Sequence, residues 1–127
     1  MMRSRNKQQL KDVIEEFLQK SQFMQIATVK DNRPWICTVN YAVDNDFNLY
    51  WMSLRNRRHS KELENNQHVA ISVVVDTANK IGMQLTGTAH EVPEDSLSDA
   101  HKIYSERYGD KAERLAEAQS GDATVRT

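Results

Sequence analysis

Hydrophobic and polar positions change period several times along this chain, and each change marks an element. Over residues 7–20, Leu10, Val13, Ile14, Phe17 and Leu18 recur at three- and four-residue spacing among Lys, Glu and Gln, which predicts an amphipathic helix placed to cap a barrel end. Residues 22–30 shift toward alternation, and Asp31-Asn32-Arg33-Pro34 supplies turn chemistry, so a hairpin is expected. Residues 34–44, rich in aromatic and β-branched side chains, read as a second strand; Asp44-Asn45-Asp46 then turns the chain into a third over 47–53.

A short helix follows over 60–66, with Leu63 inside and Lys61, Glu62 and Glu64 outside. Residues 68–76 (HVAISVVVD) are the most strand-like run and predict a central, buried strand. A fifth strand is expected over 80–92, where Gly82 and Gly87 permit a bend or a close approach. Leu97, Ala100, Ile103 and Tyr104 share one face of a helix over 96–108, and Gly109 stops it. Residues 110–119 are expected to add a helical turn or two, whereas 1–6 and 120–127 are polar enough to be flexible. The order of elements describes one α+β domain over 1–127, built on a small antiparallel barrel.

Composition narrows the function classes. A chain of 127 residues buries a core but leaves little depth for an active site, so dimerisation would help. The net charge of -1 gives no overall field toward nucleic acid or anionic lipid, so a basic site must be local. With no signal core and no run long enough to span a membrane, a cytoplasmic protein without membrane or nucleic-acid partners is expected. The single cysteine, Cys37, rules out an internal disulfide and a cysteine-based metal cluster, and no His spacing suggests a metal.

One basic cluster stands out. Residues 49–66 (LYWMSLRNRRHSKELENN) leave a strand, pass through Arg55, Arg57, Arg58, His59 and Lys61, and enter a helix. A helix start offers unpaired N–H groups and a positive dipole end, and arginines offer forked donors, so the junction suits a phosphate. Taken alone, the same arginines are more simply read as a solvated loop.

The segments IATVKDNRPWICTVNYAVDNDFNLYWMS, RRHSKELENN, HVAISVVV and IGMQLTGTAHEV together resemble the pyridoxamine 5'-phosphate oxidase-like family of FMN-binding split barrels, over about residues 10 to 92. The resemblance implies an antiparallel split β-barrel with flanking helices, a homodimer, and FMN held at the subunit interface. It also implies an oxidoreductase that moves hydride or electrons between flavin and a small molecule or nicotinamide. Arg58, His59, Ser60 and Lys61 would hold the FMN phosphate, with His59 partly protonated beside it. Thr38, Val39, Asn40, Met52, Ser53 and Gln84 would orient the ring. For Thr38 to Asn40 an ordinary barrel strand, and for Gln84 a solvent-facing position, explain the residues as well.

Departures from the authentic oxidases bear on the reaction. Cys37 and Ala42 stand where those enzymes bring an arginine and a lysine to the cofactor, Gly82 stands where they place a glutamine, and no sixth strand or terminal Trp and Arg is recognisable. These differences argue against vitamin B6 oxidation and assign no catalytic residue. Split barrels of related type take the deazaflavin F420 or haem, which are alternative ligands; a non-catalytic nucleic-acid-binding barrel is a third possibility, which the charge balance disfavours.

Overall fold

The computed structural model describes residues 6–109 and the backbone of 123–126. Asn6, expected to be part of a loose tail, instead caps α1 (Lys7–Lys20). Its side chain accepts the Gln9 N–H at 2.8 Å while the Gln9 side chain accepts its own N–H at 2.9 Å, satisfying two donors that a helix start leaves open. β1 (Phe23–Lys30) and β2 (Arg33–Asn40) form the expected hairpin, joined at Asp31 and Asn32. Both turn residues have positive φ, 52° and 60°, as a two-residue turn matched to sheet twist requires.

The strand expected over 34–44 is divided at Tyr41. Its N–H donates to the Gln22 carbonyl at 3.1 Å and its hydroxyl to the Leu18 carbonyl at 2.7 Å, so the chain leaves β2 there and β3 (Ala42–Val43) enters another sheet. β4 (Leu49–Leu54) begins two residues later than expected, because Phe47 sits in the left-handed region at φ 64°. α2 (Arg58–Asn65) starts two residues earlier than expected. β5 (His68–Asp76) and β6 (Ile81–Thr88) pair with a register shift between Val74 and Asp76, across from Gly82, whose Cβ, if present, would lie 3.4 Å from the Val73 carbonyl. β6 stops at Thr88 rather than 92: Ala89 turns inward and donates to the Gln67 carbonyl at 2.8 Å. A 3-10 turn, Glu94–Ser96, leads into α3 (Leu97–Tyr108), which Gly109 ends at φ 69°.

The expectation of a flexible end without a further strand fails over 123–126, where β7 (Ala123–Arg126) pairs antiparallel with β4 from Trp51 to Leu54, while 120–122 and 127 lie outside the described residues. Without that partner, this edge of β4 would carry open N–H and C=O groups. The helical turns expected over 110–119 and the flexibility expected over 1–5 lie outside the described residues.

Two antiparallel sheets result, β2-β1-β5-β6 and β3-β4-β7, and they do not close into one barrel. Alternation along β1 sends Met24, Ile26 and Thr28 inward against Val73, Trp51, Leu18 and Leu63. Complete burial of side chains such as Met24 and Ile26 stabilises the fold by about 1.5–3 kcal/mol each. A second cluster, Ala42, Met52, Val92, Ala100 and Tyr104, fills the space beneath α3. Met52 thus lies under α3 while its neighbours Trp51 and Ser53 are also buried, which leaves the last turn of β4 fixed on both faces.

Candidate functional site

The end of β4 and the start of α2 meet the second half of β2 around a cleft of ≈270 Å³. Six of the residues expected to bind the cofactor line it: Thr38, Val39 and Asn40 from β2, Met52 and Ser53 from β4, and His59 from α2. The cleft is organised by one short contact, 2.7 Å between Ser53 Oγ and His59 Nε2, with both residues buried. Arg57, the residue before α2, lines the same cleft and makes no side-chain cap to the helix. The first backbone N–H groups of α2 are therefore not satisfied by a side-chain cap. Ser60, in that first turn, is fully buried, and its hydroxyl has no hydrogen-bond partner among the described residues.

Arg58 and Lys61, expected as phosphate anchors, face a different side. They line a shallow basic pocket with Lys30 and Arg33. Arg58 Nε donates to Glu62 Oε2 at 2.6 Å, and its guanidinium lies 4.2 Å from the centre of the Trp35 ring. Glu62, expected on the outside of the helix, is buried at 4% exposure and also accepts from Thr28 Oγ1 at 3.0 Å. The Arg58 hydrogen bond, aided by Thr28, holds the Glu62 carboxyl below its ordinary value against burial, which favours the neutral acid. Arg55 is likewise engaged, with Glu91 at 2.6 Å.

Gln84 is not in the cleft. It pairs with Ser72 on the outer face of the four-stranded sheet, beside the exposed Ile36. Cys37 packs against the core, and burial pushes its thiol up, away from the reactive thiolate. The sequence placed Arg57 in the basic cluster without marking it as an anchor, and it put Glu62 on the outside of the helix. The four-residue spacing of Arg58 and Glu62 was the available signal: an ion pair at that spacing assigns Arg58 to the helix and leaves Arg57 at its mouth. Among the described residues no three His, Cys, Asp or Glu side chains are grouped to hold a metal, and no helix is long and apolar enough to cross a membrane.

Solved structures share this architecture at low identity. A protein of unknown function from Agrobacterium tumefaciens superposes with a TM-score of 0.78 at 17% identity, over 97% of this chain and 54% of that one, so the present chain spans about half of it. HutZ, the heme storage protein from Vibrio cholerae, gives 0.73 at 22% identity over 91% and 85% of the two chains. A FAD-binding protein from Mesorhizobium loti gives 0.71 at 16% identity over 88% and 83%. No curated protein sequence matches significantly. The family model described as pyridoxamine 5'-phosphate oxidase matches residues 10–126. A match of that extent, on an α+β split-barrel fold, establishes that this chain belongs to the pyridoxamine 5'-phosphate oxidase family.

Proposed function

We propose that the protein is an FMN-binding flavoprotein and an oxidoreductase acting on a small molecule, with Arg57 and His59 as the phosphate anchors. The observation that carries this reading is the convergence, in one cleft, of a start of α2 without a side-chain cap, Arg57, and the Ser53–His59 pair. A phosphate monoester needs charged donors and a helix N-terminus, and both are present on one side of the cleft. The unpartnered Ser60 hydroxyl in the same turn adds a donor that a small shift of α2 would expose. Arg58 braces α2 through Glu62 rather than contacting the ligand, and Lys61 contributes only long-range charge.

Thr38 to Asn40 offer strand backbone and two polar side chains to the rim of a flat heterocycle, and Met52 offers an apolar surface. Bound there, flavin would supply hydride and electron transfer between a small molecule or nicotinamide and its own ring. The positions that differ from authentic oxidases support a reaction other than vitamin B6 oxidation: Ala42 is buried and Cys37 faces the core, so neither presents a cation to the cleft.

A cleft of ≈270 Å³ lies below the range of about 300–1,000 Å³ typical of sites for ligands of this size. We assign the missing wall to a second copy of the chain, seated on the outer face of the four-stranded sheet. That face carries Phe23 at 54% exposure, Ile36 at 62% and Val74 at 53%, large apolar side chains open to solvent in one chain. Gln84 lies among them and would reach the partner's flavin rather than its own.

The test is absorbance during titration of the purified full-length chain with FMN, followed by mass spectrometry of the small molecule released on denaturation. Yellow protein with one FMN per chain is expected; protein that stays colourless with FMN in excess would end the reading. Haem is the second reading, favoured by the likeness to HutZ, and a Soret band in place of flavin bands would select it.

A further inference from the structure

A second pocket, of ≈440 Å³, opens on the inner side of β5 and β6, against α1, and shares no lining residue with the cleft at α2. Its walls are Ile14 and Leu18 of α1, Leu49 and Trp51 of β4, Ile71 of β5 and Leu85 of β6. A further observation shows that the space is not filled from β6. Gly87, on the inner face opposite Val69, has nothing within 4 Å of where a Cβ would stand, so the volume before it is open.

No Lys, Arg, Asp or Glu lines the pocket; its polar residues are Asn48, Thr86, Thr88 and His90. An ionised ligand would lose its hydration there without a lysine, arginine or carboxylate to compensate it. We infer that this pocket is a binding site for an uncharged, apolar small molecule. The site is independent of the flavin reading, because it is separate from the cleft and lies on the opposite side of the sheet from the face assigned to the second subunit.

The probe is prodan, an uncharged naphthalene ketone whose emission shifts to the blue on leaving water, titrated into the full-length protein. Saturable binding of one prodan per chain with blue-shifted emission is expected. Gly87→Leu, which places a side chain in open space, should weaken it at least about tenfold while the native circular dichroism is retained. Absence of saturable binding to the wild type, or binding indifferent to Gly87→Leu, overturns the inference. A Gly87→Leu chain that melts higher while the wild type binds no prodan also overturns it, identifying a packing void only.

Discussion

At Glu62, burial and an ion pair act in opposite senses on one carboxyl, and the ion pair prevails. Its folded pKa is lowered from the ordinary 4.5, so its contribution to stability is complete above about pH 4.5 and is lost as pH falls through the depressed value. Thermal melts of wild type and Glu62→Gln should therefore differ at neutral pH and converge on acidification; a difference that persists unchanged to about pH 3 would contradict the assignment. Glu62→Ala should cost about 1–3 kcal/mol by denaturant titration, because Thr28 is buried and loses its acceptor while Arg58, at 48% side-chain exposure, returns to water. The two adjacent arginines should separate cleanly in the same assays. Arg57→Ala is expected to weaken FMN about 10- to 100-fold with little change in melting temperature, His59→Ala, which strands the buried Ser53 hydroxyl, to lower both affinity and melting temperature, and Arg58→Ala to lower the melting temperature with a smaller effect on affinity. If Arg58→Ala is the variant that loses FMN, the anchor is misassigned. Most of the cleft was legible in the sequence, because Thr38 to Asn40, Met52, Ser53 and His59 are fixed by strand register and by the strand-to-helix junction. The choice between Arg57 and Arg58 was not, because a shift of two residues in the start of α2 turns one cation toward the cleft and the other toward Glu62.

Among the elements, those with a strong period, α1, β1, β5 and α3, lie where their spacing places them, and the turn residues Asp31 and Asn32 lie where left-handed backbone is needed. The elements that escaped the sequence are set by tertiary partners. The division of 34–44 comes from Tyr41 reaching back to Leu18 and Gln22, and neither contact leaves a mark on the local pattern. β7 is the clearer case, four residues whose strand conformation depends on the free edge of β4. Deleting residues 123–127 removes pairing along Trp51 to Leu54, the stretch that carries Met52 and Ser53 into the cleft. The expected result is a loss of about 2–4 kcal/mol and a greater tendency to aggregate through the opened edge, read by denaturant titration and light scattering. A truncated chain as stable and as dispersed as the full one would mean that β7 contributes nothing to β4.

At the scale of the molecule, the cleft is smaller than its proposed ligand needs and the outer sheet face leaves Phe23, Ile36 and Val74 exposed, and the proposed second copy would answer both. If a second copy covers Phe23, Ile36 and Val74, the same association brings a foreign wall, with Gln84 on it, over the cleft that holds Thr38 to Asn40. Dimerisation and FMN binding are then thermodynamically linked: each must strengthen the other. Ile36→Lys places a charge in the middle of that face, 62% exposed in one chain, so the isolated fold tolerates it while the interface does not. Sedimentation should find a dimer in the wild type and a monomer in the variant, with an unchanged far-ultraviolet spectrum. FMN affinity should fall by at least about tenfold although position 36 does not line the cleft. Excess FMN should in turn shift the variant back toward dimer, a reciprocity that a merely local perturbation of β2 cannot produce. A variant that is monomeric yet binds FMN as tightly as the wild type would place the whole ligand within one chain and dissociate the apolar face from the site.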